Sequence, residues 1–192
     1  MHPLLEAGLS RHIQLTDEEK ELLWQAVTLR KYRKRQYVLQ AGDVCRYENF
    51  VVSGCLRAYY IDDAGTEHII MFAVEDWWTS DLLSFLTQTP SKLNIDALED
   101  SEVLQIEHSA LEALYLKIPK LERFFRIMMQ NAYIAQQQRI LFNISKTAKE
   151  RYLYFIEKYP KLEQRLPQHQ IAAYLGITPE FLSQIRKQLS EG

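Results

Sequence analysis

The residues with the most to say about chemistry lie at 168–189, QHQIAAYLGITPEFLSQIRKQL. Glu180, Ser183, Gln184 and Lys187 are spaced three and four apart, so on a helix they share one face, with Arg186 beside them and Thr178 just ahead. Gln and Ser carry short-armed donors and acceptors, Glu only accepts, and Lys and Arg carry fixed positive charge. A face of this kind can read base edges in a DNA major groove through Gln184 and Ser183, with Glu180 accepting from cytosine N4. Lys187 and Arg186 suit phosphate contacts.

Such a face works only if it is projected from the protein, and the same segment supplies the projection. Counting Gln168 as one, Ala172 is fifth, Gly176 ninth, Leu182 fifteenth and Ile185 eighteenth. A small fifth residue lets two helices cross closely, and glycine at the ninth takes the left-handed conformation that ends the first helix. Ile171, Leu175, Leu182 and Ile185 make a shared core, Thr178 is an N-cap and Pro179 a first-turn residue. An ordinary helical hairpin with a solvated face would account for the charges, but not for small-residue, glycine, apolar and cap signals falling in one register. The segment predicts a helix-turn-helix.

Other chemistry is poorly supported. Cys45 and Cys55 are the only cysteines, too few for a disulfide framework, a zinc ribbon or a four-thiolate cluster, and read as reduced core thiols. His2, His12, His68, His108 and His169 form no His-x-His pair, and only Glu67 adjoins His68, so a cupin-like metal barrel is weakly supported. No nucleophile elbow, P-loop or dinucleotide fingerprint occurs, and no enzyme is expected.

The 192 residues allow one large or two small domains, and 47% hydrophobic with 25% charged residues is a globular balance. The net charge of −2 hides an asymmetry. Residues 1–145 carry 15 Lys and Arg against 20 Asp and Glu, a net −5, whereas 146–192 carry 8 against 5, a net +3. No run is long and apolar enough for a membrane span, and the N-terminus lacks a signal-peptide pattern, so a cytoplasmic protein is expected, with no membrane partner.

Upstream, Thr16 with Glu19 signals a capping box at the start of a helix. From about 30 to 107 the period changes to short β-branched and aromatic runs, YVLQ, NFVV, CLRAYYI, HIIMFAV, NIDAL and EVLQI, with Gly42, Gly54 and Gly65 between them. These read as antiparallel strands joined by turns and closing into a roll. After Pro119 a helical pattern runs to about 143, roughly 37 Å at 1.5 Å per residue. Leu121, Phe125, Met128, Ala132, Ala135 and Phe142 form one apolar stripe along it, and Phe124, Ile127, Ile134 and Leu141 a second. Two stripes need two partners, so one should face the roll and the other the same helix of a second subunit; the first stripe is taken as the dimer face. A further helix is expected over 145–158.

A roll, a long helix and a C-terminal helix-turn-helix resemble the Crp/Fnr family of bacterial transcription regulators, on YVLQAGD around Gly42, NFVVSGCLRAYYIDDAG through Gly54 to Gly65, and IDALEDSEVLQI at 95–106. The resemblance implies an α+β chain: an antiparallel β-roll (a double-stranded β-helix like the cyclic nucleotide-binding domain) at 1–116, a dimerisation helix at 117–145, and an all-α helix-turn-helix domain at 146–192. Members often add a two-stranded wing; with only three residues after Leu189, none is expected here. The resemblance also implies a homodimer on double-stranded DNA with a palindromic site, with RNA polymerase as a further partner, although no polymerase-contacting surface can be identified.

The family's cyclic AMP site pairs Gly-Glu at a helix start with Arg-Ser or Arg-Thr about ten residues on, so that helix N–H groups and an arginine fork hold the phosphate. Here those pairs fall on Ser80–Asp81 and Ser91–Lys92, and the adenine-side Thr-Ser on Gln136 and Gln137. Lysine lacks the bidentate fork. Cyclic AMP is therefore not expected, and an unidentified small effector would meet Trp78, Ser80, Asp81, Leu82, Ser91, Lys92, Gln136 and Gln137. Two readings of the roll stay open, an effector sensor and a ligand-free scaffold, and so does a degenerate helix-turn-helix that binds protein.

Overall fold

A computed structural model of the chain describes Met1 to Glu191; Gly192 lies outside the described residues. Two helices come first, α1 (Pro3–Ser10) and α2 (Asp17–Gln25). The Thr16 hydroxyl accepts the Glu19 amide at 3.2 Å while the Glu19 carboxylate accepts the Thr16 amide at 2.8 Å, which is the expected capping box. The strands are β1 (Val27–Tyr32), β2 (Tyr37–Leu39), β3 (Tyr47–Ser53), β4 (Leu56–Ile61), β5 (Glu67–Ala73) and β6 (Trp78–Thr79). Then follow helix α3 (Leu82–Thr87), β7 (Asn94–Ala97), β8 (Ser101–Glu107) and helices α4 (His108–Lys117), α5 (Lys120–Ser145), α6 (Ala148–Lys158), α7 (Pro160–Arg165), α8 (Gln168–Leu175) and α9 (Pro179–Ser190).

The strands form two four-stranded sheets, ordered β1-β8-β3-β6 and β2-β7-β4-β5, with antiparallel pairing such as Asn49 opposite Gln105 and Ala58 opposite Ile95. This is the β-roll of the expected α+β fold. Its core takes Phe50, Val51, Val103, Leu104 and Ile106 from one sheet, Leu39, Leu56, Ala58, Ile95 and Ala97 from the other, and Leu5, Leu9, Leu23, Leu111, Leu121, Phe124 and Phe125 from helices. Burying each large side chain of this kind contributes about 1.5–3 kcal/mol. Gly54, at φ +94°, lets the β3–β4 turn pass close to the chain before β8: a Cβ there would stand 2.7 Å from the Asp100 carbonyl oxygen and collide with the Ser101 hydroxyl.

The chain divides into two compact units, one of Met1–Tyr60 with Met71–Gln130, the other of Ile61–Ile70 with the residues from Asn131 on. This differs from a cut into 1–116, 117–145 and 146–192. The long helix is shared, and the tip of the β4–β5 hairpin belongs with the C-terminal helices. Arg139 gives the physical reason: its guanidinium donates to the carbonyls of Ile69 (2.7 Å), Ile70 and Tyr174 (2.9 Å) and lies over the Tyr174 ring at 4.1 Å. Burial pushes this guanidinium down from its ordinary pKa, and no carboxylate is among these partners.

The expected dimer face needs correction. Leu121 and Phe125 lie in the core of the first unit, so a partner cannot meet them. Phe142 packs edge-on against Tyr154 of its own chain, ring centres 4.5 Å apart; Met128 and Ala135 are half-buried, and Ala132 alone of the six is exposed. The exposed apolar residues of α5 are instead Tyr133 (70%), Ile134 (51%), Ile140 (58%), Leu141 (57%) and Ile144 (79%). Ile134 and Leu141 belong to the second stripe. Steps of four and three mark both stripes equally, and only packing shows that the start of α5 buries Phe124 of the second stripe beside Leu121 and Phe125 of the first, while Ile134 and Leu141 stay exposed.

Candidate functional site

The helix-turn-helix forms as its residues dictate. Ala172 is fully buried between α8 and α9 together with Ile171, Leu175, Leu182 and Ile185. Gly176 ends α8 in the left-handed region at φ +67°, where an L side chain would be strained. Thr178 N-caps α9, its hydroxyl accepting the Phe181 amide at 3.2 Å, and Pro179 fills the first helical position. Tyr152, Phe155, Leu162 and Leu166 supply the buried side chains that α8 and α9 share a core with. Upstream, Thr147 and Glu150 close a second capping box, and the amide and hydroxyl of Thr147 with the Lys146 ammonium draw the Glu150 carboxyl down to about 2.

With Leu182 and Ile185 turned inward, Thr178, Glu180, Ser183, Gln184 and Lys187 are all exposed. Lys187 stands 3.8 Å from Glu191, and its side chain is 76% exposed, so it can swing to a phosphate. Arg186 does not belong with them. Its guanidinium donates to Glu163 of α7 at 2.6 Å, and the same carboxylate oxygen accepts from the Tyr152 hydroxyl at 3.2 Å. One residue past the buried Ile185, it lies on the inner flank of the helix and ties α9 to α7. Sequence spacing put it beside the polar face; helical geometry turns it about 100° away.

The roll treats its expected effector residues differently. Asp81 is buried and N-caps α3, accepting the Ser84 amide at 3.3 Å, and its other oxygen accepts the Ser91 hydroxyl at 2.6 Å. Ser91 is buried, and its hydroxyl also accepts the Leu93 amide at 2.9 Å. Ser80 donates to Glu48 at 2.8 Å. Trp78 is packed among Phe50, Phe124 and Phe125, ring centres 5.2, 6.3 and 5.2 Å away, and serves the core. Leu82 and Lys92 are exposed. Gln136 and Gln137 are exposed on α5 in the part that belongs to the other unit. Of the six in the first unit, Trp78 serves the core and Ser80, Asp81 and Ser91 are already held in hydrogen bonds of the fold. A cavity of about 450 Å³ opens elsewhere in the first unit, lined by Tyr37, Cys45, Arg46, Tyr47, Asn49 and Gln105 among others.

Three residues escaped the sequence reading. Glu48 is 2% exposed, and burial pushes its carboxyl up to about 7; its place in YENFVV, at the same parity as Phe50, was the available signal. Arg139 was visible only as a break in an apolar stripe. Phe181 sits half-exposed (47%) on the first turn of α9. Among the described residues no group of three or more His, Cys, Asp or Glu side chains is placed to hold a metal ion, and no helix is long and apolar enough to cross a membrane.

Residues 29–117 match the family model described as cyclic nucleotide-binding domain. The chain is 30% identical over 193 residues to the fumarate and nitrate reduction regulatory protein of Vibrio cholerae, an alignment covering 92% of this chain and 76% of that protein. It is 26% identical over 191 residues to the transcriptional activator protein Anr of Pseudomonas aeruginosa, covering 93% and 78%. Its fold is similar to that of FixK2 from Bradyrhizobium japonicum, with a TM-score of 0.74 at 22% identity over 86% of this chain and 85% of that one.

Proposed function

The chain belongs to the Crp/Fnr family of transcription regulators, and from that premise we propose that it acts as a homodimer on double-stranded DNA through α9, without a cyclic AMP site in its roll. The observation that carries the DNA-binding reading is the exposed polar face of α9, raised on a helix-turn-helix whose small residue, glycine and cap stand in register. Glu180, Ser183 and Gln184 read base edges; Lys187 and the Thr178 end of the helix meet the phosphate backbone. The dimer seam is the exposed face of α5 around Ile134, Leu141 and Ile144, which apolar side chains at this spacing suit.

The loss of the cyclic AMP site is supported by how Asp81 and Ser91 spend their hydrogen bonds. A cyclic phosphate needs donors and a positive fork, whereas here a carboxylate already caps the helix start and takes the serine's proton. Lys92, exposed, offers only a point charge.

Selection from random duplexes tests the reading. It should enrich a two-fold-symmetric sequence with half-site centres about 34 Å apart, or a multiple of that, and affinity should fall as salt rises. Gln184→Ala should relax preference at one base pair by about 1–3 kcal/mol, while Lys187→Gln should weaken all sequences alike. Recovery of no enriched sequence at low salt would count against DNA reading by α9.

A further inference from the structure

Phe181 is an apolar side chain on a polar face. It lies on the first turn of α9 between Glu180 and Ser183, with 47% of its surface exposed, outside the buried set that joins α8 to α9. At 100° per residue it flanks the Glu180–Gln184–Lys187 row, one turn before Gln184. Its backbone is fixed where it stands: the amide donates to Thr178 Oγ1 at 3.2 Å, and Pro179 sets the turn. A ring with two rotatable bonds on so rigid a turn gives up little conformational freedom on contact.

Leaving such a ring in water is unfavourable, so the surface that α9 meets should offer it something apolar. In the major groove a base pair displays one apolar group, the C5 methyl of thymine. We propose that Phe181 is a specificity-determining residue that packs on a thymine methyl within each half-site. The inference rests on the DNA-binding reading above and adds a base identity that the polar residues do not supply.

The test uses the full chain and the duplex enriched by selection, with each thymine replaced in turn, symmetrically, by deoxyuridine. That change deletes the methyl and keeps every hydrogen-bonding group. At one thymine per half-site, affinity measured by fluorescence anisotropy should fall roughly tenfold to twentyfold, the loss of one methyl contact in each of the two half-sites. Phe181→Ala should bind thymine and uracil duplexes equally, and more weakly than the native chain binds thymine; because the residue is exposed, circular dichroism should show its folding unchanged. If the native chain binds its duplex and no uracil substitution matters, the assignment of Phe181 is wrong while DNA binding stands. Persisting discrimination in Phe181→Ala would give the methyl to another residue and overturn it too. So would a variant with unchanged DNA affinity but lowered sedimenting mass, which would put Phe181 in a protein contact. Absence of any salt-sensitive duplex binding would instead remove the reading beneath the proposal.

Discussion

Two sets of polar side chains in this molecule occupy positions that a sequence reader would assign to ligands, and they are physically opposite. In the roll, Asp81, Ser91 and Ser80 are paired with Ser84, Leu93 and Glu48 at hydrogen-bond distance, the first two buried. On α9, Glu180, Ser183, Gln184 and Lys187 stand in solvent on a helix whose other face is locked into the core. Hydrogen-bond capacity used inside the fold is not available to a ligand, and recovering it costs the full desolvation of the groups released. Residue type and spacing locate a site, but whether the groups are still unspent decides whether the site binds.

The comparison can be broken first at Glu48. Its folded pKa of about 7 lies above the ordinary carboxyl value of 4.5 because burial disfavours the charge, and Ser80 offsets this only in part. Below about pH 4.5 both folded and unfolded chains hold the proton and nothing is lost; as pH rises toward 7 the unfolded chain releases it more readily, and stability falls. Glu48→Gln should therefore match the native chain in acid and exceed it by roughly 3 kcal/mol above about pH 7, read by urea denaturation across pH. Tyr115 and Cys45 lie within reach of the Glu48 charge, and burial raises both of their pKa values, so neither ionises in this range and confuses the measurement. A variant less stable than the native chain in alkali would mean that the roll exploits an ionised carboxylate after all.

The opposite end of the comparison is tested at Ala172, fully buried where α8 meets α9. Ala172→Leu should overpack that crossing at a cost of about 2 kcal/mol and abolish specific DNA binding. Amide exchange should quicken in α8 and α9 while the amides of β3 and β8 keep their protection. Unchanged DNA affinity in this variant would mean that the angle between the two helices does not set the reading face.

Much of this was legible from residue types alone. The β-branched runs announced β2 to β5, β7 and β8, and the register of Ala172, Gly176 and Thr178 announced α8 and α9, because those signals are local. Most of what escaped depends on partners distant in the chain, and α1 on an uncommon local cap. VTLRKY became β1 although four of its six residues are exposed, its pairing with β8 supplying what periodicity did not. PLLEAGLS became α1 under an uncommon cap, His2 Nδ1 accepting the Leu4 amide at 3.2 Å. The bond between Asp81 and Ser91, ten residues apart, could not be read from spacing, and neither could the Glu163 partner that removes Arg186 from the reading face.

The smallest expected effect is the sharpest test of the roll. Ligand that binds only the folded chain stabilises it by about 2.7 kcal/mol at a hundred times its Kd. Cyclic AMP in millimolar excess should shift the melting temperature not at all and return no heat in titration calorimetry. The reason is electrostatic as much as steric: the phosphate would have to approach the start of α3 past the Asp81 carboxylate, whose serine partner has already given its proton. Ser91→Arg alone should not restore binding, since the new guanidinium would pair with Asp81 before it met a phosphate. A clear stabilisation of the native chain by cyclic AMP would show that the Asp81–Ser91 bond opens at little cost, and the two regions would then differ in degree rather than in kind.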